Sequence, residues 1–243
     1  HRKHLRVRLF ECAHTYHPPG KEITRIAGLA YGFALPEQWA TINQQVDFFD
    51  VKNHDGFLRI LMLRQNSAGE WMVLFQLFRD EPEHRVQLFD FLLAEFPQIE
   101  TLLFAINSKP NDSSYDLDIE TYYGEGFLME EMDGLKFKIG PKSFFQTNYR
   151  QALELYRKTL EFAELTGNEV VYDLYTGTGT IAQYVARNAK EVIGIEAVQE
   201  AIDAATEHAS LNGLTNCTFY CGDMKEVFTE EFLQNHPKAD VLI

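Results

Sequence analysis

The run Val170-Val171-Tyr172-Asp173-Leu174 breaks into Tyr175-Thr176-Gly177-Thr178-Gly179-Thr180, and Val192-Ile193-Gly194-Ile195-Glu196 follows a short way on. This pattern predicts a buried strand, a glycine turn, a helix from about Thr180, and a second buried strand ending in a carboxylate. Together these make one half of a nucleotide-binding α/β unit. Glycines at Gly177 and Gly179 let the backbone pass close to a ligand, and the start of the following helix offers unpaired N–H groups. A carboxylate at Asp173, beside that turn, would repel a pyrophosphate but can pair with an ammonium, which favours a methionine-type cofactor. Glu196 has the chemistry to accept hydrogen bonds from both hydroxyls of a ribose.

The same residues satisfy Gly177-x-Gly179-x-x-Ala182, so a nicotinamide or flavin site is the main rival. Beyond Glu196 the pattern predicts a helix over 198–211, a strand over 217–221, Gly222-Asp223, another helix, and a strand over 239–243. Strand alternates with helix throughout, which is doubly wound topology. Ligands of such sheets sit outside the carboxyl ends of the strands, so Asp173, Glu196 and Asp223 are expected to converge on one crevice. Three acids there suit a cationic cofactor with free hydroxyls and an adenine amino group. The competing reading makes them helix caps and solubilising loop residues.

At 243 residues the chain can bury one large core or two ordinary ones. No apolar run is long enough to span a bilayer, and the basic first residues are not followed by a signal-peptide core, so a cytoplasmic address is expected. An odd count of 3 cysteines fits a reducing compartment better than a disulfide framework. Cys12, His14 and His17 cluster loosely, but a zinc site needs a fourth partner. Core packing is the better reading of Cys217 and Cys221. The formal charge of -14 argues against a generally adhesive nucleic-acid binder. Any RNA face must then be a local concentration of basic residues, with Arg2, Lys3, Arg6, Arg8, Arg59 and Arg64 as candidates. The plainer reading of each is a solvated surface charge.

In the front half, residues 57–64 and 71–78 read as a hairpin. A helix should start near Glu81, with Phe89, Leu92, Leu93 and Phe96 at helical spacing and Pro97 as its stop. Residues 101–106 read as a strand, and residues 121–130 and 135–139 as a second hairpin around Asp133-Gly134. Asp116-x-Asp118-x-Glu120 has part of a calcium-loop spacing without its glycine, so an exposed strand edge is expected instead. Residues 1–48 are the least readable, with only a helix near 23–33. A long helix over 148–165 places Leu153, Tyr156, Leu160 and Ala163 on one face. The domain boundary is expected at 147/148.

Gly140-Pro141-Lys142-Ser143-Phe144-Phe145-Gln146-Thr147-Asn148, taken with Asp173-Leu174-Tyr175-Thr176-Gly177-Thr178-Gly179-Thr180, resembles the uracil-C5 RNA methyltransferases. That family makes 5-methyluridine in transfer and 23S ribosomal RNA. The resemblance covers residues 49–243; Asp55-Gly56-Phe57-Leu58-Arg59 and Tyr123-Gly124-Glu125 are similar to lesser signatures of the family. It implies an α/β fold: a central α+β domain over 1–147, then a Rossmann-like class I methyltransferase domain over 148–243, truncated within its fourth strand. S-adenosylmethionine is the implied cofactor and RNA the implied partner, 23S rRNA ahead of tRNA, with no membrane or protein partner. Gln146, Tyr175, Thr180 and Glu196 match cofactor-holding positions, and Asp223 matches the position beside the adenine. Position 180 is often Asn in the family, so the Thr is a departure.

In that family a cysteine thiolate adds to C6 of uracil, C5 takes the methyl group, and a base removes the C5 proton. The cysteine and base lie beyond the fourth strand, so the resemblance places no catalytic residue within the chain. The start at His1 and the end at Ile243 predict a fragment of a longer protein that is inactive by itself. The rivals are a methyltransferase acting on another atom, an NAD-dependent oxidoreductase, and a non-catalytic RNA-binding module.

Overall fold

The computed structural model describes residues 47–146 and 148–243, which fall into two compact units, one through Leu128 and one from Met129. In the first, β1 (Leu58–Gln65) and β2 (Trp71–Leu77) form the expected antiparallel hairpin. Helix α1 (Pro82–Glu95) then crosses to β3 (Ile99–Ile106), parallel to β2, and β4 (Glu120–Tyr123) closes the order β1-β2-β3-β4. Every residue of β2 is buried, as an interior strand covered on both faces must be. Phe89 of α1 holds one face together, lying 5.3 Å from Phe75, 5.9 Å from Phe104 and 5.0 Å from Tyr122 between ring centroids. Pro82 opens α1, where its missing N–H is unneeded, and the chain leaves the helix at Phe96, just before Pro97.

The strand expected over 121–130 is instead two, β4 and β5 (Leu128–Met132), because the chain turns at Gly124 and Gly126, with φ of 78° and 81°. A Cβ on Gly124 would stand 2.1 Å from the carbonyl oxygen of Glu100, so only glycine lets β4 approach β3 this closely.

The second unit opens with β5 and β6 (Leu135–Ile139), a hairpin whose two-residue Asp133-Gly134 turn has both φ angles positive, at 52° and 81°. The Asp133 carboxylate accepts from the Tyr184 hydroxyl at 3.0 Å and from Arg187 at 3.3 Å. Those bonds, the Tyr184 one first, hold its pKa below the usual aspartate value. Helix α2 (Tyr149–Ala163) is capped by Asn148, whose side chain accepts from the Gln151 amide at 3.2 Å. Then follow β7 (Val170–Leu174), α3 (Thr180–Ala186), β8 (Glu191–Glu196), α4 (Gln199–Leu211), β9 (Cys217–Cys221), two short helices α5 (Met224–Val227) and α6 (Glu230–Asn235), and β10 (Val241–Leu242). All pairings in this sheet are parallel, in the order β10-β7-β8-β9. The α/β Rossmann-like expectation therefore holds.

The division at Leu128/Met129 falls ahead of the expected 147/148 because the β5–β6 hairpin is fastened to the second unit by side chains. Asn212 accepts from the Lys136 amide at 2.8 Å and donates to the Lys136 carbonyl at 2.9 Å, acting in place of a neighbouring strand. His208 Nε2 accepts from the Lys138 amide at 3.0 Å. Phe145, just past β6, packs with Phe137, Tyr156 and Tyr184 in one apolar cluster.

Candidate cofactor site

Strand β7 lies between β10 and β8, so the chain runs outward from β7 on one side through β8 and β9 and returns on the other with β10. That reversal makes the carboxyl end of β7 the switch point, where open α/β sheets bind ligands. Asp173 stands there with only 4% of its surface exposed. One carboxylate oxygen accepts from the Thr176 hydroxyl at 2.7 Å and from the Ala182 amide at 3.1 Å. Burial pushes its pKa up to about 6, with those two hydrogen bonds working in the opposite direction. The structure thus places Asp173 inside the turn, joining its start to the first turn of α3.

Tyr175 has a φ of 63° and is 74% exposed. A non-glycine residue in this left-handed region is strained, and here the strain turns a large aromatic side chain outward at the strand end. Gly177 and Gly179 have φ of 56° and 72°. Their surroundings differ: among the described residues a Cβ on Gly177 would meet nothing within 4 Å, whereas one on Gly179 would stand 2.9 Å from the Ala205 methyl and 3.0 Å from the Phe219 ring. The Phe219 ring also fills the space over Gly194, where a Cβ would come within 2.6 Å. The sequence pattern makes both glycines ligand-facing alike; in the structure Gly179 serves packing, and Gly177 is open.

Glu196 ends β8 with both carboxylate oxygens engaged by backbone donors: the Gly177 amide at 3.1 Å on one, and those of Ala197 and Val198 at 2.8 and 3.1 Å on the other. The first of these ties the glycine turn to the end of β8, while the oxygens retain lone pairs for further donors. Asp223, exposed after β9, caps α5 by accepting from the Lys225 amide at 2.9 Å. The helix-cap reading is therefore realised at Asp223. Gln146 is exposed in the segment whose preceding Phe145 joins the apolar cluster with Ile181 of α3.

Sequence reading missed three contributors. The spacing of Tyr156 places it on an apolar helix face, but its hydroxyl donates to Thr180 Oγ1 at 2.9 Å. Buried His208 reaches the Thr178 carbonyl at 3.3 Å from Nδ1, and burial holds its pKa below the ordinary value. Phe219 has the packing role given above. The 3.6-residue spacing of Tyr156 was visible in sequence; the use of its hydroxyl was not.

The other expectations resolve residue by residue. Arg59, a candidate for an RNA face, is a structural residue: it donates to the carbonyls of Asn107, Lys109 and Asn111 at 2.6–2.8 Å and to Asp112 at 2.9 Å, with its side chain 2% exposed. Cys217, the first residue of β9, packs half-buried against the apolar cluster of Val171, Val185 and Val192, and burial pushes its thiol up to about 12, so it carries almost no thiolate at neutral pH. Cys221 is exposed at the end of β9. Cys12, His14 and His17, the basic residues Arg2, Lys3, Arg6 and Arg8, and the helix expected over 23–33 lie outside the described residues. Among the described residues no helix is long and apolar enough to cross a membrane, and no group of His, Cys, Asp and Glu is arranged to hold a metal ion.

Residues 165–243 match a methyltransferase domain family, and residues 1–68 match the phenylalanyl tRNA synthetase beta chain CLM domain. Over 200 residues, 82% of the chain, the sequence is 52% identical to an uncharacterized RNA methyltransferase of Porphyromonas gingivalis. It is 48% identical over 81% of its length to another from Bacteroides thetaiotaomicron. These alignments take in 43% and 44% of the two relatives, so the chain spans less than half the length of the curated proteins it matches. Among solved structures, it is similar to the Pyrococcus abyssi tRNA (uracil-54, C5)-methyltransferase in complex with S-adenosyl-L-homocysteine. The TM-score is 0.64 at 29% identity, over 79% of this chain and 46% of that one.

Proposed function

The chain belongs to the RNA methyltransferase family of those relatives, and from that premise we propose that it forms the S-adenosylmethionine-binding and central part of an enzyme that methylates uracil C5 in RNA. Support for the uracil target comes from the Ser143-to-Asn148 segment paired with the glycine turn, and from the likeness to a uracil-C5 enzyme. Ribosomal RNA, 23S in particular, is the preferred substrate, with transfer RNA next. The protein acts in the cytoplasm in this reading.

One observation carries the cofactor assignment. At the switch point, the backbone at Gly177 faces open space and is held there by Glu196, a carboxylate that can also accept from ribose hydroxyls. Glu196 would suit the ribose of either cofactor, but the Asp173 carboxylate beneath the turn would repel the pyrophosphate of a dinucleotide, which disfavours the oxidoreductase alternative. Bound S-adenosylmethionine supplies a methyl group on an electron-poor sulfonium. Glu196 would hold the ribose, Asp223 the adenine edge, and Tyr175, Gly177, Thr180 and Gln146 the remainder. Asp173 contributes by keeping the turn in shape. The nucleophile that such chemistry requires at C6 is not assigned to Cys217, whose thiol stays protonated.

Glu196→Ala tests the assignment. Loss of hydrogen bonds involving a charged group should weaken S-adenosylhomocysteine binding by about 1.5–3 kcal/mol, measured by calorimetry. An unchanged affinity removes Glu196 from the ribose site. A stronger thermal shift with NAD than with S-adenosylhomocysteine would favour the oxidoreductase alternative.

A further inference from the structure

The hydroxyls of Tyr156 and Thr180 meet at 2.9 Å, with Tyr156 as donor. Tyr156 is 3% exposed and its ring packs against Tyr184 at 5.7 Å between centroids, within a cluster that a phenylalanine would fill equally well. Its hydroxyl therefore has a use that packing does not explain. Burial raises the phenol pKa, so Tyr156 keeps its proton throughout the neutral range. A threonine hydroxyl that accepts one hydrogen bond still carries its own hydrogen, and must direct it elsewhere. Thr180 is the first residue of α3, immediately after the glycine turn, and is partly exposed.

The order of strand ends orients a ligand. If Asp223 after β9 faces the adenine and Glu196 at the end of β8 faces the ribose, the amino-acid end of the cofactor comes to the end of β7, where the Thr180 turn begins. A carboxylate at that end needs donors. We propose that Tyr156 is a positioning residue of the cofactor site, fixing the Thr180 hydroxyl as a hydrogen-bond donor to the carboxylate of S-adenosylmethionine. The inference rests on the cofactor reading above, and adds the orientation of the ligand and the residue that enforces it.

The test compares S-adenosylhomocysteine with 5′-methylthioadenosine, which lacks the amino-acid carboxylate, by calorimetry on the 243-residue chain. Tyr156→Phe should weaken S-adenosylhomocysteine about fivefold, the size of one neutral hydrogen bond, and leave methylthioadenosine unchanged. Thr180→Val should match or exceed that loss, and the double variant should lose no more than Thr180→Val alone. Because Thr180→Val tests the same contact from the other side, poor folding of one variant does not remove the test. Unchanged S-adenosylhomocysteine affinity in Tyr156→Phe, or an equal loss for both ligands, overturns the positioning role and leaves the cofactor reading standing. Failure of the unaltered chain to bind either ligand overturns both.

Discussion

The two units each bury a charged side chain beneath a loop at the carboxyl end of a parallel strand, and they do so to opposite effect. In the first unit Arg59 is enclosed by the loop after β3 and directs its two terminal nitrogens to that loop's own carbonyls and Asp112. In the second unit Asp173 is enclosed by the turn after β7, with one oxygen receiving two donors and its pKa pushed up to about 6. A guanidinium has five fixed donors and closes its loop around itself, whereas a carboxylate braces a turn from below and leaves the turn's outer surface free. The first arrangement makes a stable corner. The second makes a rigid rim with exposed Tyr175 and the open flank of Gly177, which is what a ligand site needs.

Breaking the first corner should have the largest effect. Arg59→Met would take the charged donor from the carbonyls of Asn107 and Lys109, while the exposed Asn111 carbonyl keeps the Asn107 side-chain amide, at a cost of about 4 kcal/mol to the first unit. Hydrogen exchange resolved by peptide should show residues 107–114 losing protection, with S-adenosylhomocysteine affinity kept within twofold. A large loss of affinity with the loop still protected would mean that Arg59 is more than a brace.

Titration of Asp173 comes next. Its folded pKa, about 6, is raised above the unfolded value of 3.8, so its ionisation opposes folding. The stability it allows is complete below about pH 4 and is lost as pH rises through about 6, amounting to about 3 kcal/mol for a shift near two units. His208 runs the other way, because its lowered pKa costs stability as pH falls below its ordinary value of 6.5. The difference between the unaltered chain and Asp173→Asn separates the two. In denaturant unfolding at pH 4 to 7, the unaltered chain's advantage over Asp173→Asn should shrink steadily with rising pH. A pH-independent difference would mean that Asp173 is not penalised by burial.

This contrast explains what sequence could reveal. The alternation of buried strands with helices was legible from 170 to 243, because parallel strands covered on both faces leave continuous apolar runs. The hairpin turn at Asp133-Gly134 was legible because two positive φ angles demand such residues. The break at Gly124 was not, since it depends on how near β4 approaches Glu100. Arg59 read as a surface charge because nothing local announces carbonyls arriving from residues 107–111. Likewise Tyr156 showed its spacing but not its hydroxyl partner, and Gly177 and Gly179 looked alike until Phe219 set them apart.

The smallest effect on stability sharpens the comparison most. Gly177→Ala forces a side chain to a φ of 56°, with no atom of the described residues beyond its chain neighbours within 4 Å of the new methyl group. The cost should be only the left-handed backbone strain, about 1 kcal/mol. Gly179→Ala bears the same strain and must also displace Ala205 or Phe219, so it should unfold at a clearly lower temperature. If the open flank of Gly177 receives the cofactor, its methyl group occupies ligand space, and affinity for S-adenosylhomocysteine should fall by more than the stability does. Gly179→Ala should show the reverse order. Thermal unfolding and calorimetry on the two variants decide the matter: equal losses of affinity would mean that the turn acts as a unit, and that the open side of Gly177 is only a gap.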